Sequence, residues 1–527
     1  MPLDVPDLGY TPTLGGCIRR AAERFGDKDF VVMPHARLSY AEAERASRAY
    51  AKELVAAGFG KGARVAILDT YSLEWVVAWL AAVRIGCLTM PFSSTYRSSE
   101  IRTVLRVGDV DTLLGASTIL GKPVGALIEQ AVPGIVGQRA PLRVVDAPYL
   151  RRALLWGSAL PAWAAPTDPF APQSGDVTDE LLDEIEREVT PADLAQVTYT
   201  SGSSALPKGV VHSHGGIVRS TGVTSPEMEP FIRGGEAKLL CGFPFFWIGG
   251  TMLLGTSLQH GVTLCVLERF EPGAALEMVE RERCTAVLAW PSLIQSMKSH
   301  PTFATRDLSS APALTEGPSD LALVGSPVPG IPLHRTMSET CGSWNGCERK
   351  AVAAGSDEPL PDMEEGELCV RGFGVMQGYY KKEREETFDA DGWLHTGDKV
   401  FMHENRAYFL GRFTEMIKSQ GANVSPREVE LYFEQWPEIE HALVFGVPHE
   451  TLEEEVTAVI VFKPGHHLRV EELQARARAE ISAYKVPTRV EIVDDESEIP
   501  WLASGKPDKV QLRARLLEAL PSPPPDR

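Results

Sequence analysis

The residues whose types and spacing first suggest chemistry are Thr200-Ser-Gly-Ser-Ser-Ala-Leu-Pro-Lys-Gly209. Hydroxyls and flexible backbone amides in a tight loop suit phosphate oxygens, and Lys208 adds a positive charge. This is not a Walker A loop. Counting from Gly202, that motif requires glycine where the chain has Pro207, and serine or threonine where it has Gly209. A P-loop ATPase reading therefore fails at two fixed positions.

Such a loop needs rigid elements on either side. Ala195-Gln-Val-Thr-Tyr199 reads as a strand leading in, Val210-Val-His-Ser213 as a strand leading out, and a helix is expected near Gly215-Gly216. Upstream, Ser39-Tyr-Ala-Glu42 has the form of a capping box, followed by a helical stretch to Ala57 that Gly58 and Gly60 stop. The apolar run Val65–Leu68 predicts a buried strand, Ser72–Arg84 a helix and Cys87–Pro91 a further strand. This strand–helix–strand spacing implies parallel pairing through a crossover. From Pro133 to Pro191, proline, glycine and the acidic run Asp179–Glu188 predict a surface excursion rather than core.

A second boundary is expected at Gly411-Arg-Phe-Thr414. Beyond it the pattern predicts a helix near Glu428–Gln435, strands at His441–Gly446 and Val456–Phe462, a helix at Val470–Ser482, a strand at Arg489–Val493 and a terminal helix. The expected fold class is thus α/β: a large, multi-subdomain N-terminal α/β domain (1–411) followed by a small mobile α+β domain (412–527). A length of 527 residues agrees, being too great for one ordinary core.

Bulk properties narrow the function. A formal net charge of −19 argues against non-specific nucleic-acid or anionic-membrane binding, though a local loop in an acidic protein still collects a phosphate. The eight cysteines are scattered without a CxxC pair, which fits buried, idle thiols in a reducing compartment. The N-terminal residues lack the basic and apolar regions of a signal peptide. The longest apolar stretch, near Trp75–Val83, is far short of the roughly 20 residues that span a bilayer. The C-terminus carries no lipidation or peroxisomal signal. The expected location is cytoplasmic, with no membrane span.

With the loop in place, the sequence resembles the adenylate-forming superfamily of acyl-CoA synthetases, peptide-synthetase adenylation domains and beetle luciferases, and within it the fatty-acyl-CoA synthetases most. The superfamily's loop reads approximately Thr-Ser-Gly-(Ser/Thr)-Thr-Gly-x-Pro-Lys-Gly, matched here except at Ser204 and Ala205. Gly392-Trp-Leu-His-Thr-Gly-Asp398, Gly411-Arg-Phe-Thr-Glu-Met-Ile-Lys418, Ser419–Glu430 and Ser504-Gly-Lys506 resemble the later motifs, in the same order. The resemblance runs from Leu38 to Lys509, with gaps at 133–190 and 311–365.

It implies the following roles. Thr200, Ser201, Gly202, Ser203, Ser204 and Lys208 would cradle phosphates, with Ser338 nearby; Asp398 and Arg412 would contact ribose; Glu339 would position magnesium. Lys506, on the small domain, would bridge the attacking carboxylate and the α-phosphate oxygens. Thr414 would lie at the hinge, and Lys418 and Gly421 would face a pantetheine tunnel. Pro244-Phe-Phe-Trp-Ile-Gly-Gly250 resembles the start of an acyl pocket, giving Phe246, Trp247 and Gly249 to the substrate. Relatives that activate amino acids usually carry an aspartate in this stretch, and none is present here. The apolar surroundings suit an aliphatic or alicyclic acid. The implied reaction uses ATP, Mg²⁺ and coenzyme A to convert a mainly apolar carboxylic acid to its thioester, and the resemblance leaves room for a homodimer.

The chain also departs from the family. An aromatic residue and a glycine normally precede the Ser338-Glu339 segment, where this chain has Arg335 and Thr336. Gly325-Ser-Pro-Val-Pro-Gly330 precedes Glu339 rather than following it. At the hinge, Thr414 stands where relatives carry Asp or Lys. Three alternatives remain: an acyl-AMP ligase loading a separate carrier protein, a luciferase-type oxygenase, and a degenerate non-catalytic nucleotide- or acyl-binding relative.

Overall fold

The computed structural model describes residues 5–172, 176–200, 206–223, 229–232, 236–317, 326–328, 333–334, 337–341, 346–353, 356–412, 417–419, 421–424, 426–493, 498–500 and 509–518. Residues 1–200 and 208–411 form one compact unit, and residues 412–527 belong to a second.

In the first unit, Ser39 and Glu42 form the expected capping box at the start of the helix Tyr40–Ala56. The strand Arg64–Leu68, the helix Leu73–Arg84 and the strand Leu88–Phe92 follow, and the two strands pair in parallel. Every residue of Leu88–Phe92 and of Thr112–Ala116 is buried, as expected of strands covered on both faces. These strands are central in an eight-stranded sheet ordered Gly378–Tyr379, Lys208–Ser213, Leu194–Thr200, Leu88–Phe92, Arg64–Leu68, Thr112–Ala116, Arg152–Trp156 and Ala165–Pro166. A five-stranded sheet holds Ala286–Leu288, Lys238–Cys241, Thr263–Cys265, Asp29–Val32 and Arg37–Ser39. A four-stranded antiparallel sheet holds Glu348–Val352, Glu365–Arg371, Leu394–His403 and Arg406–Arg412.

The stretch 133–191 is not simply a surface excursion. Arg152–Trp156 is a parallel strand beside Thr112–Ala116, and Leu142, Leu150 and Leu155 are fully buried. The acidic run forms a helix, Asp179–Glu188, whose Glu186 turns inward. Glu186 accepts from Arg84 Nε at 2.8 Å and pairs with Arg19, while Arg84 Nη2 spans both carboxylate oxygens of Glu44 at 2.8 and 2.9 Å. Ser47 Oγ accepts from Arg84 Nη1 at 2.9 Å. The guanidinium is fully buried yet saturated with acceptors, the only condition under which its burial is tolerable.

The second unit builds its sheet from Ala422–Val424, Ile417–Ser419, Glu453–Phe462 and Ile439–His449, with Arg489–Val493 parallel to Glu453–Phe462. The helices Pro426–Glu434 and Val470–Glu480 accompany it, and Val429, Phe433, Trp436, Val444, Ile460 and Leu473 fill its core. Among the described residues, no helix is long and apolar enough to cross a membrane. All eight cysteines are buried and none is in a disulfide.

Arg84→Ala takes the fully buried guanidinium from Glu186 and Glu44 and leaves Glu186 only Arg19 and Arg48, so we expect it to destabilise the first unit by about 3 kcal/mol, read as a lower urea midpoint. A shift below about 1 kcal/mol would mean that the cluster contributes little.

Candidate functional site

Two antiparallel strands flank the loop. Leu194–Thr200 and Lys208–Ser213 pair in register, with Thr200 opposite Lys208. Ser201, Gly202, Ser203 and Ser204 lie outside the described residues. Gly209 follows Lys208 on the same strand. A Cβ there would lie 2.7 Å from Val197 Cγ1 and 3.1 Å from Tyr380 Cβ, so glycine is required.

The outer side of Lys208–Ser213 is covered by Gly378–Tyr379, with Tyr379 opposite Val210. Tyr379 joins two of the residues singled out in the sequence. The Lys208 ammonium lies 4.9 Å from the centre of its ring, a cation–π contact. Its hydroxyl donates to Glu339 Oε1 at 3.0 Å. The Glu339 backbone is also held, its carbonyl accepting from Met376 N–H at 2.7 Å.

His212, two strand positions from Val210, fixes the same turn from inside. Its Nε2–H donates to the Ser338 carbonyl at 2.7 Å, and Nδ1 accepts from the Cys341 thiol at 3.1 Å. Burial pushes the imidazole pKa down to about 4, so this neutral arrangement holds at physiological pH. Cys341 has φ 50°, which ends the short Ser338–Thr340 turn in a left-handed residue. Lys208, Ser338 and Glu339 are thus held around one strand by a cation–π contact and hydrogen bonds.

Asp398 sits on the strand Leu394–His403 and is 2% exposed. His334 Nε2 donates to its Oδ2 at 2.8 Å, and its backbone N–H donates to Thr396 Oγ1 at 3.1 Å. Gly397, at φ 73°, donates its N–H to Glu367 Oε1 at 2.9 Å. Arg412 ends the strand Arg406–Arg412.

The proposed acyl segment is aromatic. Phe245 is buried against Tyr71 and Trp75, with ring centroids 5.0 and 5.5 Å away. Phe246 meets Trp247 edge-on at 5.9 Å, and Trp247 meets Trp290 at 5.1 Å. Phe243 contacts the same Trp290 at 5.0 Å. Gly249 has ordinary clearance, whereas a Cβ on Gly250 would lie 2.2 Å from the Pro244 carbonyl oxygen.

In the second unit, Lys418 lies on a short hairpin opposite Asn423, its N–H donated to Glu454 Oε2 at 2.9 Å. Gly421, at φ 75°, makes the turn. Arg335, Thr336, Thr414 and Lys506 lie outside the described residues. Sequence reasoning missed Tyr379, His212, His334 and Trp290. Tyr379 follows Gly378 in a Gly-Tyr-Tyr run that gives no hint of its reach to Glu339.

The chain matches the AMP-binding enzyme family over residues 18–342 and the AMP-binding enzyme C-terminal domain over residues 428–506. It belongs to the AMP-binding enzyme family, the adenylate-forming class. Among individual relatives it is 27% identical to a putative acyl-CoA synthetase, YngI, of Bacillus subtilis, over 96% of this chain and 97% of that one. It is also 27% identical to the mitochondrial medium-chain acyl-CoA ligase ACSF2 of Mus musculus, over 98% and 91% respectively. Among solved structures it resembles the amide bond synthetase McbA from Marinactinospora thermotolerans, with TM-score 0.74, 25% identity and coverage of 95% and 99%. An o-succinylbenzoate CoA synthetase from Bacillus subtilis shares the fold, with TM-score 0.72, 22% identity and coverage of 95% and 98%.

Burial lowers both His212 and His214 to about 4, while an unfolded chain takes up these protons near the ordinary value of 6.5. Their stabilising effect is complete above pH 6.5 and lost as pH falls towards 4. Chemical denaturation from pH 7 to 4 should show falling stability, with a shallower fall in His212→Gln. An unchanged slope in that variant would contradict a neutral buried His212.

Proposed function

We propose that the chain is an ATP-dependent acyl-CoA synthetase: it adenylates a mainly apolar carboxylic acid, releasing pyrophosphate, and transfers the acyl group to the thiol of coenzyme A. The observation that carries this reading is the assembly of Lys208, Tyr379 and Glu339 beside the loop. A carboxylate attacking the α-phosphorus brings two anions together, and the site must supply positive charge and oriented donors. The Lys208 ammonium provides the first. Glu339, with one oxygen held by Tyr379 and its side chain only partly buried, fits a magnesium ion on the triphosphate, which needs one or two carboxylates.

In this reading Thr200 and Ser201–Ser204 cradle the phosphates with Lys208, Ser338 lies beside them, and Asp398 and Arg412 contact the ribose. Residues 1–411 bind ATP and acid, while 412–527 form the mobile domain that delivers Lys506 and turns about Thr414. Lys418 and the turn at Gly421 then face the pantetheine arm. The aromatic cluster of Phe246, Trp247 and Trp290 supports an apolar acid, with Gly249 beside it. The named activities of YngI and ACSF2 support CoA as acceptor. Eight buried cysteines outside any disulfide support a cytoplasmic location. The likeness to an amide bond synthetase supports a second reading, in which the same adenylate passes to an amine.

Lys506→Ala tests the division of labour. Adenylation should fall by about 10²-fold or more, while thioester formation from supplied acyl-adenylate is nearly spared. Equal loss in both half-reactions would contradict the role given to Lys506. Tyr379→Phe should raise the Mg²⁺ concentration for half-maximal adenylation by about 10-fold, with the KM for the acid unchanged. An unaltered Mg²⁺ dependence would remove Tyr379 from the account.

A further inference from the structure

Away from Lys208, Tyr379 and Glu339, a second group of side chains brings three unlike donors to one point. In the four-stranded sheet, Cys369 pairs with His395 across the strands Glu365–Arg371 and Leu394–His403. His395 Nδ1 lies 3.0 Å from Glu367 Oε2 and 3.4 Å from Cys369 Sγ. All three donor atoms lie within 4.8 Å of one another.

A single imidazole nitrogen offers one in-plane direction for a proton or a lone pair, and so serves one hydrogen-bond partner well, not two. Here two partners stand at contact distance from the same nitrogen. A tetrahedral zinc ion with bonds of about 2.0–2.3 Å holds its N, O and S ligands roughly 3.3–3.6 Å apart; the His395–Cys369 distance of 3.4 Å matches, and the His395–Glu367 distance of 3.0 Å is slightly shorter. The supporting contacts have the matching form. Asp389 Oδ2 lies 3.7 Å from His395 Nε2, on the side from which a carboxylate orients a metal-bound imidazole. Asp357 adds a further carboxylate to the same His395 and Asp389. Glu367 is anchored through Oε1, which accepts from Gly397 N–H, and presents Oε2 to the group.

We propose that Glu367, Cys369 and His395 form a binding site for a thiophilic divalent cation of the zinc class, with Asp389 orienting His395 and water completing the shell. The buried thiol supplies the soft ligand that separates this site from one for magnesium. The His395 side chain, 36% exposed, gives the route in. On binding, the Cys369 thiol loses its proton to solvent and becomes the thiolate ligand. His395 keeps its proton on Nε2, facing Asp389, and gives its Nδ1 lone pair to the cation. Because the thiol binds as the thiolate, the cation must displace its proton.

The test is titration of the chelator-treated full chain with Co²⁺, together with equilibrium dialysis against Zn²⁺. The expected result is a near-ultraviolet thiolate-to-cobalt band saturating at one ion per chain, and one competing Zn²⁺. Cys369→Ser should abolish the band. His395→Gln and Asp389→Asn should each weaken binding by about 10-fold or more, with unchanged circular dichroism. Cys284→Ser, which alters a buried cysteine elsewhere, should leave the band intact. No saturating band on the unaltered chain, or a band that survives Cys369→Ser, would overturn the proposal. The unaltered chain decides even if a variant fails to fold.

Discussion

Thr200 and Lys208 face each other across an antiparallel ladder, and the register of that hairpin determines where Lys208 is presented. A slip of one residue would turn Lys208 to the opposite face of the sheet. Two neighbours prevent it. On one side Gln196 pairs with Thr89 of the central parallel strand, and on the other Val210 and Val211 pair with Tyr379 and Gly378. Gly209 admits no side chain at the closest approach. The ammonium of Lys208 is thereby set against the ring of Tyr379, whose hydroxyl holds Glu339. Two opposite charges drawn from distant parts of the chain are coupled through one aromatic residue.

Buried polar groups hold the neighbouring turns. His212 ties Ser338 and Cys341 to the strand that follows the loop, and it does so as a neutral imidazole. His334 holds Asp398, while Glu367 holds the Gly397 amide just before it. In each case a donor and an acceptor are matched in a wholly or partly buried place, so removing one leaves the other poorly satisfied. Such contacts fix side-chain direction more than they add net stability.

Local signals were legible in the sequence. Ser39 and Glu42 announce a capping box because that motif closes within four residues. The strands around the loop follow from short apolar runs. Arg152–Trp156 was missed because a five-residue strand between proline- and glycine-rich stretches offers little period to read. Glu186 was read as part of a solvated acidic face, because its partners Arg84 and Arg19 lie more than a hundred residues away. Tyr379 and His334 escaped notice for the same reason: their partners are 40 and 64 positions distant, and no local pattern encodes such contacts. The roles of Lys506, Arg412 and the CoA-facing residues rest on resemblance to the adenylate-forming enzymes.

Acid-dependent release of pyrophosphate from ATP and Mg²⁺ tests the central claim most directly, using short, long and alicyclic acids with and without coenzyme A. The account predicts release with an apolar acid, formation of the acyl thioester when CoA is present, and an acyl-adenylate that accumulates on the protein when it is absent. ATP binding without pyrophosphate release, across the whole set of acids, would contradict it.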